Sequence, residues 1–217
     1  MSKLRIDVTD VPYHVFARGN NKQPIFFDEV DRLVFLKYCR EAKKQFDFRL
    51  FTYALMTNHF HLLLLMEKES SLSQLMQCIQ FQYARYVNRK YQQVGHLFQG
   101  RFNSLLVETD SYFLTVDRYI HLNPVRAGMV AKPEDFPWSS YRERFQPLRQ
   151  GWVDHQMAFD YFGKERNTQL KGYRTFTEDG ISKPAEWTLD QLRKATCLGS
   201  PRFLQQTLER HRAKKAL

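Results

Sequence analysis

His59 and His61 stand two residues apart in "MTNHFHLLLLME" (56–67), inside a run that otherwise reads as buried strand. On a strand, alternate side chains share a face. Both imidazoles therefore point the same way as Leu63 and Leu65, while Phe60, Leu62, Leu64 and Met66 point the other way. Cβ atoms at that spacing lie about 6.5–7 Å apart, so two ring nitrogens can converge on one ion at about 2 Å each. The same pattern also describes two core histidines satisfied by backbone groups. Two imidazoles leave a metal short of ligands. For an oxygen-preferring ion such as magnesium or manganese, the others would be water, amide or carboxylate oxygens.

A second chemical signal is "DRYIHLNPVRAG" (117–128). Tyr119 and Asn123 are neighbours on one helix face if the helix persists that far. One offers a phenolic nucleophile, the other an amide oxygen for a metal. Tyrosine suits attack on a phosphodiester because the product is an ester that conserves the bond energy and can be reversed. A core or interface aromatic is the competing reading in a chain with 11 tyrosines. Pro124 biases Asn123 away from helical geometry and would swing its amide off the Tyr119 face. His121 faces elsewhere and has no assigned role.

These residues need a scaffold. "PYHVFAR" (12–18) alternates like a strand and stops at the turn signal Gly19-Asn20-Asn21. Asp28 opens a helix with Leu33, Leu36, Tyr38 and Ala42 near helical spacing. "RLFTYALM" (49–56) reads as a strand, Thr57-Asn58 as a tight turn, and "HFHLLLLM" (59–66) as a central strand apolar on both faces. Ser71 caps a helix with Leu75, Ile79 and Tyr83 on one stripe. "GHLFQGRF" is a glycine-punctuated loop, "SLLVET" (104–109) a short strand, and Asp110 or Ser111 starts a helix that ends or kinks at Asn123-Pro124. The first six elements follow the βαββαβ plan. The expected fold class is α+β: a ferredoxin-like antiparallel sheet with two helices on one face, the other face open for a site or a further helix. The expected domains are residues 1–145 and a small, basic, helical C-terminal appendage, 146–217. That appendage holds 13 Lys and Arg against 8 Asp and Glu.

The 217-residue chain carries a net charge of +10 and a pI near 9.6, a field that favours polyanions, nucleic acid first. No apolar run reaches transmembrane length, and "MSKLRIDVTD" lacks the apolar segment of a secretory signal. Cys39, Cys78 and Cys197 are odd in number and widely spaced, which reads as reduced thiols in a cytosolic protein. "FQYARYVNRKY" mixes Phe81, Tyr83, Tyr86 and Tyr91 with Arg85, Arg89 and Lys90, the blend of stacking platforms and cations used on single strands; part of that aromatic stripe is expected in the core. Arg101 in the glycine loop, Arg126 beside the tyrosine helix, Arg18 and Lys90 are the expected phosphate contacts.

Together these blocks resemble a known family. "MTNHFHLL" is similar to the histidine–hydrophobic–histidine motif of HUH endonucleases. "YHVFARGN", "GHLFQGRF" and "YIHLNPVRAG" resemble the single-tyrosine HUH transposases, nearest to the REP-associated tyrosine transposases. The likeness covers about residues 8–145, in order. It implies His59, His61 and Asn123 as ligands of Mg2+ or Mn2+ and Tyr119 as the catalytic nucleophile. Many relatives carry Gln where Asn123 stands, and Asn is shorter. The implied activity is cleavage and rejoining of single-stranded DNA with hairpins through a covalent 5′-phosphotyrosine, with no nucleotide cofactor. The implied setting is bacterial, cytoplasmic and nucleoid-associated. Two other readings keep the fold without the chemistry: a hairpin-binding module, and an RNA-binding sheet, which lacks the aromatic pattern that stacks bases.

Overall fold

The computed structural model describes residues 6–68, 70–146 and 151–215. Short runs of strand-forming residues, nearly all buried, produce β1 (Pro12–Arg18), β2 (Phe48–Leu55), β3 (His59–Met66) and β4 (Asn103–Val107). They pair in the order β2-β3-β1-β4, every neighbour antiparallel, as the βαββαβ plan requires. α1 (Glu29–Ala42) and α2 (Leu72–Lys90) cover one face. There Val15, Leu62, Leu64, Phe35, Leu75 and Ile79 are buried in one cluster. The opposite face packs Phe16, Leu63, Leu65 and Leu105 against α3 (Thr109–Arg126).

Local chemistry fixes the helix ends. Asp28 caps α1 in a capping box with Asp31. Ser71 precedes α2 as expected, but its hydroxyl donates to Asp7 Oδ2 at 2.8 Å and makes no cap bond. The sequence reading ends or kinks the tyrosine helix at Asn123-Pro124; the structure continues it to Arg126. Pro124 falls in the last turn, where a missing N–H removes one bond only. The exposed carbonyls are then closed from beyond the helix: Gly128 N–H donates to Val125 O at 2.9 Å and Met129 N–H to Pro124 O at 3.0 Å. Gly128 takes the left-handed conformation this ending needs, φ +67°. Asn123 therefore stays helical, one turn beyond Tyr119.

The segment after 146 is helical, as its sequence reads: α4 (Gln156–Phe159), α5 (Arg166–Glu178), α6 (Leu189–Lys194) and α7 (Pro201–Lys215). It also does what its sequence does not announce. β5 (Cys197–Leu198) joins the sheet parallel to β4, and Phe159, Tyr173, Leu192 and Leu198 are buried in the α3-side core. At the far edge, Ala54 bridges Ser139 and Leu50 bridges Val153, so later segments cover part of each side of the four-stranded sheet.

A polar network is sealed beneath α3. Asp117, His121, Thr52, Ser140 and Arg144 are all fully buried. Arg144 donates to Asp117 Oδ1 at 2.6 Å and to Phe51 O at 3.0 Å, and Thr52 donates to the same carboxylate oxygen. Tyr173 donates its hydroxyl to Asp117 Oδ2 at 2.6 Å and so receives the Nδ1 proton of His121 at 2.7 Å. The other imidazole nitrogen faces Ser140 Oγ at 3.0 Å, which in turn accepts from Tyr53 N–H. The assignment closes only with a neutral His121.

Breaking a buried ion pair from one side strands the other charge. Asp117→Ala should therefore lower unfolding free energy by about 3–5 kcal/mol in urea titrations. Burial also pushes the His14 and His155 pKa values down to about 3 and those of His61 and His121 well below the ordinary 6.5. The unfolded chain takes up protons below about 6.5 that the folded chain refuses, so this stability is complete above that pH and is lost as pH falls toward the folded values. The urea midpoint should drop clearly between pH 7.5 and pH 5.

Candidate active site

The antiparallel pairing of β1 and β3 sets Phe16 opposite His61 and Arg18 opposite His59. His59 and His61 share the α3-facing side of the sheet, with ring centroids 5.0 Å apart. The turn before β3 orients the first of them. Asn58 Nδ2 donates to Lys22 O at 2.9 Å, which turns its Oδ1 toward His59 Nδ1 at 2.7 Å. His59 Nδ1 must then carry the proton, leaving the Nε2 lone pair free. Gly19 makes this turn close: a Cβ there would lie 2.1 Å from Gln23 O, and its N–H donates to Asn58 O at 2.8 Å.

His61 is fully buried and meets a residue the sequence reading did not single out. Its Nδ1 lies 2.8 Å from Nε2 of His14, also fully buried, and its Nε2 has no protein partner. The signal for His14 is present in "YHVFAR", where it shares a face with Phe16 and Arg18, but only the pairing of β1 with β3 brings it to His61. Burial, with a smaller contribution from Arg18, lowers the His59 pKa to about 4. All three rings are neutral near pH 7, the form that ligates a metal.

α3 brings Tyr119 over these rings, 5.8 Å from His61 and 5.9 Å from His14 between centroids. The buried network fixes the rotation of α3 through Asp117 and His121, two residues to either side. Tyr119 is 4% exposed. Burial raises its pKa, opposed by the Asn123 side chain and Arg126, so the phenol is protonated at neutral pH. Asn123 lies beside it, its Nδ2 donating to Tyr119 O at 2.8 Å. The expected set of His59, His61, Tyr119 and Asn123 is thus in one place. Among the described residues no group of three or more His, Cys, Asp or Glu could hold a metal ion. The orphaned Nε2 of His61 and the free lone pair of His59 fit a divalent cation completed by amide and water oxygens.

The C-terminal segment closes the site. The Trp187 ring lies 5.8 Å from Tyr119, and Glu186 accepts from Arg118 at 2.7 Å and pairs with Arg126 at 2.8 Å. Nothing in "KPAEWTLD" marks it locally as part of a site.

The expected phosphate contacts divide. Arg126 is held by Glu186, and Lys90 by Asp28 at 2.6 Å and Asp31 at 2.8 Å; neither presents a bare cation, because each has a carboxylate packed on it. Arg18 stands at the mouth of the site, bonded to Gln99 Oε1 at 3.2 Å. Arg101 is exposed on a groove of about 570 Å³ between α2 and the 95–102 loop, with Phe81, Leu97 and Phe98 among its walls. Tyr83, Tyr86 and Tyr91 are structural. Tyr83 donates to Ile25 O and the other two to the buried Asp31.

A family model described as "Transposase IS200 like" matches residues 7–123. None of the curated proteins compared matches the chain. Among solved structures, a REP-associated tyrosine transposase bound to a REP hairpin aligns with TM-score 0.59 at 16% identity, over 71% of this chain and 94% of that one. That likeness is one of fold. A structure described as a candidate transposase of Deinococcus radiodurans aligns at 19% identity over 59% of this chain and 92% of that one, with TM-score 0.40. The family match takes in the histidine pair, Tyr119 and Asn123. The chain belongs to the IS200-like transposase family.

Proposed function

We propose that this transposase is a metal-dependent single-stranded DNA endonuclease and strand transferase, directed to hairpin-bearing DNA, with Tyr119 as nucleophile. The observation that carries the reading is the tyrosine ring 5.8 Å from an imidazole whose outward nitrogen has no protein partner. The phenolic oxygen attacks a backbone phosphorus and loses its proton. The bond from phosphorus to the 3′ oxygen breaks, and that oxygen takes a proton. The products are a 5′-phosphotyrosine and a free 3′-OH, and reverse attack by a 3′-OH rejoins the strand. Mg2+ or Mn2+, held by His59, His61 and the Asn123 amide oxygen, would polarise the phosphate and stabilise the departing charge. Because burial raises the phenol pKa, Tyr119 gives up its proton as the bond forms.

The DNA path has its own support. From Ser70 to Val107 the chain has no Asp or Glu, and it carries Arg85, Arg89, Lys90 and Arg101. Phe81 is 60% exposed on the same helix, with the Arg85 guanidinium 5.5 Å from its ring. An exposed aromatic beside the exposed Arg85 suits an unstacked base and its phosphate. The fold of the hairpin-bound relative adds support for hairpin DNA as the partner. No nucleotide cofactor is required, since the ester stores the bond.

One observation favours a second reading, a hairpin-binding protein without cleavage: Tyr119 is nearly sealed from solvent by Trp187. A substrate phosphate reaches the phenol only when that segment moves. Incubation of the full chain with labelled hairpin DNA and Mn2+, followed by a denaturing gel, separates the two. A covalent protein–DNA band is expected; binding without any adduct would establish the second reading. Tyr119→Phe should abolish the adduct while leaving hairpin affinity within about threefold, since one hydroxyl contributes little to phosphate-dominated binding. His59→Ala should remove metal-dependent cleavage, and activity persisting in chelator would refute the metal site.

A further inference from the structure

We infer that His14 is a positioning residue for the metal site: it accepts the Nδ1 proton of His61 and so aims the His61 Nε2 lone pair at the ion. The inference rests on His59 and His61 being metal ligands.

The two imidazoles reach the same state by different means. For His59, the Asn58 side-chain oxygen takes the Nδ1 proton, and Asn58 is itself fixed by its bond to Lys22 O. For His61, no amide or carboxylate bonds to Nδ1 among the described residues. Its Nδ1 faces His14 Nε2 at 2.8 Å, and both side chains are fully buried. A neutral imidazole holds one proton, so His61 can offer Nε2 as a lone pair only when Nδ1 is the donor. His14 must then accept through Nε2 and keep its own proton on Nδ1. The rings lie nearly parallel, centroids 5.0 Å apart and planes 28° apart. Phe16 walls them in, 5.3 Å from His14 and 5.7 Å from His61. Rotation of the His61 ring is therefore blocked by packing, and the contact with His14 can run in either direction; an ion on His61 Nε2 makes Nδ1 the donor and leaves the proton of His14 on its own partnerless Nδ1. Ligand histidines ordinarily pass this proton to a carboxylate, carbonyl or water; here a third histidine, outside the ligand set, occupies that place.

The test measures Mn2+ binding to the purified full chain without DNA, from the electron paramagnetic resonance signal of free Mn2+. Four proteins are compared: wild type, His14→Phe, His14→Gln and His14→Asn. Glutamine places an acceptor near the position of Nε2; asparagine places it near Nδ1, too far back to reach His61. His14→Phe and His14→Asn should each weaken Mn2+ binding by about 10–100-fold, the usual loss on removing an outer partner of a ligand histidine. His14→Gln should recover most of it. The glutamine–asparagine comparison stands even if phenylalanine disrupts folding, because both amides are polar and small enough for the site. Equal Mn2+ affinity in the Gln and Asn variants, or wild-type affinity in Phe, overturns the inference while leaving the metal site intact. A wild type that fails to bind Mn2+ overturns the metal site and this inference with it.

Discussion

The buried pairing of Asp117 with Arg144 is the interaction on which the α3 side of the molecule depends. Asp117 gathers donors from β2, from the chain after α3 and from α5, through Thr52, Arg144 and Tyr173. A carboxylate without water must have such partners, and each arrives from a different element. The network thereby ties three parts of the chain to one helix. His121, one turn further on, repeats the clamp through Tyr173 and Ser140. A helix held at both positions cannot roll, and Tyr119 between them is directed at the imidazoles of β1 and β3.

The two faces of the sheet divide the labour. The face under α1 and α2 is packed by aliphatic and aromatic side chains in period two, and burial there supplies stability. The other face carries the polar groups: the histidines, the tyrosine and the ion-paired network. Those groups cost desolvation, and the structure offsets it by giving most of them a partner. Two of the buried polar atoms without a protein partner, His61 Nε2 and His14 Nδ1, sit where the chemistry is proposed; others, such as Tyr141 Oη and His155 Nδ1, lie away from it. Net charge is divided in a similar way. Lys90, Arg118, Arg126 and Arg144 are held by carboxylates and serve the fold. The exposed arginines of the acid-free stretch from Ser70 to Val107 are the part of the positive field left for a polyanion.

By itself the sequence determined the elements and much of the site. Alternation in 12–18, the strand-length apolar run of 59–66, helical stripes in α1 and α2, and the glycine-marked turns are local properties, and they specify the βαββαβ plan because each rests on neighbours in the chain. His59 with His61, and Tyr119 with Asn123, were legible for the same reason: two-residue and four-residue spacings translate directly into shared faces. Local rules failed where a distant partner outweighed them. Pro124 does not end α3, because in the last turn its missing N–H forfeits one helical bond only, and the terminal carbonyls of Val125 and Pro124 are closed by Gly128 and Met129. Ser71 does not cap α2, because Asp7 takes its hydroxyl. Lys90 and Arg126 read as free cations, because the carboxylates that claim them lie 59 and more residues away. Only the tertiary structure decided that His14 meets His61, that Trp187 covers Tyr119, and that Cys197–Leu198 completes the sheet. Each is a contact between segments far apart in the chain, set by strand pairing and core packing, and such contacts leave no periodic trace in the residues that make them.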